Sequence, residues 1–211
     1  METIRRNPSR KIIKRDNQTE SALLILTAFI FLAGGIIGFL CLQILHALSF
    51  SSSGALSSCI QGFLADAKAG TLAGPAFLTA SWSVLRWPLL ALILCWLPLG
   101  GAIGLLLLVF CKGFILCGFL TAFFLAASEG GLFTAWLLAG IPNLILVPIL
   151  FVLVIRGMVR ILSEKSGGKG SIRAPLLTPR NWCQCASLLA VCIVLDVFVL
   201  PNLLPALYKW I

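Results

Sequence analysis

Long apolar runs, rather than a short alternation of polar and apolar positions, dominate this chain. Five windows, Ala22 to Leu45, Trp82 to Trp96, Ala102 to Ala127, Leu132 to Ile155 and Cys185 to Leu207, meet or approach the roughly 20 residues needed to cross about 30 Å of hydrocarbon. They predict an all-α polytopic membrane protein with five transmembrane helices. Helices are required here, because lipid offers no partners to free backbone N–H and C=O groups. The ten-residue alternation of a membrane barrel is absent. Residues 1–21 form a polar, basic N-terminal tail, and 22–211 read as a single transmembrane helical domain. Residues 48–81 and 156–182 are its two long connections.

Composition supports the same class. Of the 211 residues, 60% are hydrophobic and 11% charged, too few polar groups to cover a soluble globule. The formal charge of +9 would suit nucleic acid, but its distribution argues for topology and against nucleic-acid binding. Arg5, Arg6, Arg10, Lys11, Lys14 and Arg15 precede the first span, and Arg156, Arg160, Lys165, Lys169, Arg173 and Arg180 fill the connection between the fourth and fifth. Loop 48–81 carries Asp66 and Lys68 as a local pair, and the turn "SEGG" at 128–131 carries only Glu129. By the positive-inside rule both basic blocks are cytoplasmic, which places loop 48–81, the "SEGG" turn and the C-terminus outside. The basic blocks also draw anionic membrane lipids, at about 1 kcal/mol per cation. The first apolar run exceeds the core of a signal peptide, about 7 to 15 residues, so an uncleaved anchor is expected.

Candidate chemistry is sparse. The eight cysteines lie mostly in or beside apolar spans, where thiols act as small hydrophobes. "WCQC" at 182–185 lacks the second pair or histidine of a zinc site. His46 is the sole histidine, at the outer end of the first span, and no GxSxG nucleophile turn occurs. "GGKGS" lacks the leading glycine of a phosphate-binding loop. The residues imply no catalytic set, no metal and no cofactor, and a protein that is not an enzyme. In the outer loop, Cys59 to Ala67 reads as a short helix whose Ile60, Phe63 and Leu64 share one face, suited to lying on the membrane surface.

Polar groups inside the spans are the strongest functional signal. Lys112, Asn143 and Asp196 stand out. If the chain turned at "CKG", the helix after it would be too short to cross comfortably. A turn at "LPLGG", using Pro98, Gly100 and Gly101 as breakers, yields one long helix with Lys112 near its middle. The second arrangement is preferred. It shortens the preceding helix and leaves Arg86 near that helix's outer end. A mid-depth lysine needs partners, for which Asn143 and Asp196 are the candidates; the competing reading has Lys112 snorkelling to the inner surface. Gly113, Cys117 and Thr121, four residues apart, form a small face for close helix packing. Pro142 and Pro148 predict breaks or kinks in the fourth span, with Asn143 beside them, and Tyr208, Lys209 and Trp210 form an outer interfacial anchor.

The ordered series "LLALILCWLPLGGAIGLLLLVFCKGFILCGFLTAF" and "IPNLILVPILFVLVI" resembles the stage II sporulation protein M family over residues 85–155. In that family an apolar helix, a glycine break, a K-G dipeptide and a P-x-N followed by a second proline occur in this order. Lys112 and Gly113 stand at the K-G, and Pro142, Asn143 and Pro148 at the proline–asparagine motif, although here asparagine follows proline directly. The resemblance implies a multi-pass protein of the bacterial cytoplasmic membrane, acting in sporulation engulfment. It also implies a non-enzymatic scaffold for two extracytoplasmic peptidoglycan-degrading partners, stage II sporulation proteins D and P, in the mother cell membrane. A small transporter or permease subunit, with the intramembrane polar groups along its path, is the rival expectation.

Overall fold

The computed structural model describes residues 8–48, 51–71, 77–97, 99–126, 134–165, 179–199 and 201–203. These are almost wholly helical, with no strand among them. Helix α1 is Pro8–Ala47, α2 Ser51–Ala69, α3 Phe77–Leu94 and α4 Leu99–Ala126. A wide π-helical turn, Trp136–Gly140, leads into α5, Ile141–Lys165, and a second, Leu195–Val199, follows α6, Pro179–Val194. Five stretches are long and apolar enough to cross a membrane: Thr19–Ala47, Phe77–Leu94, Gly100–Ala126, Trp136–Leu162 and Asn181–Leu203. This is a multi-pass all-α membrane protein. Each span exceeds or shifts from its sequence-derived window by a few residues, because helices run on past the apolar core into the polar flanks.

The central contact is between α1 and α4, and glycine makes it possible. A Cβ on Gly34 or Gly38 would strike the carbonyls of Phe110 or Phe114, and one on Gly113 would strike that of Phe31. Gly35 faces the Cys117 thiol. Backbones this close gain dispersion along the whole crossing, which is what drives helix association where lipid is as apolar as leucine. The predicted small face is therefore occupied by α1 of the same molecule. Thr121 adds no cross-helix bond, since its hydroxyl donates to the Cys117 carbonyl of its own helix at 2.7 Å.

Helices α3 and α5 complete the bundle. Val84, Trp87 and Ala91 of α3, Leu105, Leu108 and Val109 of α4, and Leu150, Leu153 and Val154 of α5 form one buried core, which Cys192 of α6 joins. The turn between α3 and α4 is tight: Gly101 lies against the Leu94 carbonyl, and Gly157 of α5 makes room for Cys95 and Leu105. Gly100 and Gly101 thus sit in the first turn of α4 rather than between helices, while Pro98 lies outside the described residues. So do the "SEGG" turn, the stretch 166–178 of the basic connection, and Tyr208, Lys209 and Trp210.

Neither Pro142 nor Pro148 breaks the fourth span. Both lie within α5, and the π-helical turn before Pro142 adds the extra residue that absorbs the missing N–H and the ring's clash. The helix in loop 48–81 also differs from expectation. α2 is longer than Cys59 to Ala67, and its Ile60, Leu64 and Phe63 pack on Ala122 and Phe123 of α4 and on Ala135. Phe63 meets Phe123 edge to face at 6.2 Å, and the Gln61 amide reaches the Ala126 carbonyl at the end of α4 at 3.5 Å. α2 is docked on the bundle because the apolar stripe that would suit a membrane surface finds a protein surface first.

Candidate functional site

Lys112 lies within one unbroken helix, α4, and is buried, with 8% of its surface exposed. At 1.5 Å per residue it stands about 18 Å from Gly100 and about 21 Å from Ala126, close to mid-depth. Its ammonium sits 4.9 Å from the centre of the Trp87 ring, so the cation rests against the π face of a buried indole. Such a contact recovers about 0.5–2 kcal/mol, against an insertion cost of about 2.5–3.5 kcal/mol for a mid-membrane lysine. The ring alone does not offset the charge. Asp196, in the π-helical turn after α6, attracts it, and Arg86 of α3 repels it.

The site is thus Arg86, Trp87 and Lys112 gathered at mid-depth from two spans, with Asp196 of the fifth span acting on Lys112. Sequence reasoning named Lys112 and Asp196 but set Arg86 near an outer helix end. Because α3 begins at Phe77 rather than Trp82, Arg86 falls at the middle of its span. Its guanidinium lies 5.5 Å from the same indole, and the residue is exposed on the bundle surface. Trp87 was not singled out at all. A tryptophan directly following a mid-span arginine was the available signal.

Asn143 does not join this cluster. Its amide donates to the Ala139 carbonyl of its own chain turn at 2.6 Å, and its Oδ1 is buried without a hydrogen-bond partner. The bond is local: asparagine side chains readily take backbone carbonyls three or four residues back, in competition with long-range partners. Alongside, the Cys192 thiol donates to the Pro142 carbonyl at 3.7 Å and links α6 to the start of α5. An unpaired buried amide oxygen costs about 1–3 kcal/mol, and among the described residues Asn143 Oδ1 is the buried side-chain atom left without a partner.

At one end of the bundle, Arg156 of α5 pairs with Glu20 of α1 at 3.0 Å, and Arg160 lies 5.8 Å from the Trp96 ring beside the α3–α4 turn. The start of the first span, that turn and the basic end of α5 therefore share one end of the molecule. The pair is half-exposed and contributes at most about 1 kcal/mol. Among the described residues no group of three or more histidine, cysteine or acidic side chains is placed to hold a metal.

Comparison with protein-family models, with curated proteins and with solved structures gives no match.

Proposed function

We propose that this chain is a non-enzymatic membrane scaffold, with the sporulation engulfment machinery as its setting and peptidoglycan-degrading enzymes resembling stage II sporulation proteins D and P as its cargo. The setting and the partners rest on the resemblance of residues 85–155 to the stage II sporulation protein M family. The assembly role rests on one observation of the fold. Burial is lopsided: 39% of the most apolar window of the fourth span is buried, but only 6% of that of the fifth. A helix held by one edge leaves its remaining faces for lateral partners, as a platform requires. On this reading the protein sits in the bacterial cytoplasmic membrane with its N-terminus and basic connection in the cytoplasm and its C-terminus outside. The clustering of the Glu20, Trp96 and Arg156 regions at one end supports that alternation.

A second reading is favoured by a different observation. Lys112 and Asp196, charged groups inside the spans, are what a transporter would place along a substrate path. The two readings separate on isolation of the intact protein from native membranes in mild detergent. A scaffold brings peptidoglycan-cleaving activity with it in stoichiometric amount, visible on a cell-wall zymogram. If no such activity accompanies it and solute uptake tracks its expression, with Lys112→Leu abolishing uptake, the transporter reading replaces the first.

A further inference from the structure

On the far side of α3 from the core, Leu78, Trp82, Arg86, Leu90 and Ile93 form one exposed stripe at helical spacing. The opposite face, Ala80, Val84, Trp87, Pro88 and Ala91, is buried in the bundle. The stripe therefore looks onto the lipid along the whole span, and a cation stands at its centre. Eight residues separate Arg86 from Leu94 and nine from Phe77, about 12 and 13 Å, farther than an arginine side chain reaches to either headgroup layer. Lys112 repels the guanidinium from behind, and Trp87 holds it at 5.5 Å at this depth. Asp196 acts on Lys112, and among the described residues no carboxylate forms an ion pair with Arg86. The surplus positive charge faces outward, on a seam the width of a helix, with large apolar side chains one turn above and below it.

We propose that this stripe of α3 docks a partner's single transmembrane helix that carries an aspartate or glutamate at mid-depth, the carboxylate pairing with Arg86. Charge complementarity selects this occupant: an acyl chain covers the apolar rows but leaves the guanidinium unneutralised, while a carboxylate at the same depth supplies a charge-assisted, bidentate hydrogen bond. The flanking Trp82 and Leu90 then pack on the partner's neighbouring turns. This rests on the scaffold reading and specifies the kind of span the cargo or an accessory subunit would present.

The test uses the full chain in phosphatidylcholine vesicles with a dansyl-labelled leucine–alanine model helix carrying one central glutamate. Energy transfer from the protein's tryptophans reports association. The glutamate peptide is expected to bind at least about tenfold more tightly than its glutamine counterpart or one with the glutamate moved two turns toward an end. Arg86→Leu should erase that difference, and Arg86→Lys should retain part of it. Equal binding of glutamate and glutamine peptides to the wild-type chain overturns the proposal, whether or not the Arg86 variants fold. Because the probe is synthetic, that result leaves the scaffold reading standing if wall hydrolases still copurify. Absence of hydrolases with selective peptide binding would sink the scaffold reading alone.

Discussion

At the scale of single residues, this protein separates glycines that the fold requires from those it merely contains. Gly113 lies against the Phe31 backbone, which has no flexible end to give way, whereas Gly62 of α2 has open space where a Cβ would stand. Gly113→Ala should cost about 1–3 kcal/mol through overpacking. Gly62→Ala should be neutral or stabilising by about 0.5–1 kcal/mol, since alanine is the better helix former. Unfolding titrations in mixed micelles read both, and equal effects would refute the α1–α4 crossing. If the opposite charges of Lys112 and Asp196 attract one another inside the bundle, their loss should not be additive. A cycle of Lys112→Met and Asp196→Asn should give an interaction of about 0.6–1.7 kcal/mol, the range of polar pairs between membrane helices. A cycle that closes to zero would show that the charges do not sense one another.

At the scale of elements, polar residues inside spans are accommodated by bonding to their own helices. Ser81 and Ser83 of α3 donate to the carbonyls of Phe77 and Ala80, each at 2.7 Å, so α3 extends into a segment whose hydroxyls looked like loop chemistry. That is why the depth of Arg86 was not legible in the sequence, while the depth of Lys112 was: the breakers at 97–101 bound α4 on one side only. The small face of Gly113 and Cys117 was equally legible, but not which helix it meets. The Gly34, Gly35 and Gly38 cluster of α1 was the missing half of that pattern. Asn143 was visible as a mid-span polar group, yet the sequence does not tell whether its amide turns to a carbonyl of its own helix, as it does at Ala139, or to another span. For α2, docking rests on Ile60, Phe63 and Leu64 against α4. Ile60→Asp should release it, raising the rate of protease cleavage within 48–76 several-fold while α4 stays protected. Unchanged protection would mean that α2 is held by something other than its apolar stripe.

At the scale of the whole molecule, two independent features agree on the arrangement. Charge asymmetry along the chain assigns both basic blocks to one side, and the Glu20–Arg156 pair with the Trp96–Arg160 stack brings the corresponding helix ends together. With α1 and α4 packed through glycine, α3 and α5 filling the core, and α6 attached along one edge by Cys185, Leu189, Cys192 and Ile193, the bundle has a packed centre and an open flank. The most direct check on five crossings with cytoplasmic basic ends is a set of phosphatase and fluorescent-protein fusions at positions 62, 97, 129, 170 and 211. Phosphatase activity should appear at 62, 129 and 211, and fluorescence at 97 and 170. Active phosphatase at 170 would contradict the account.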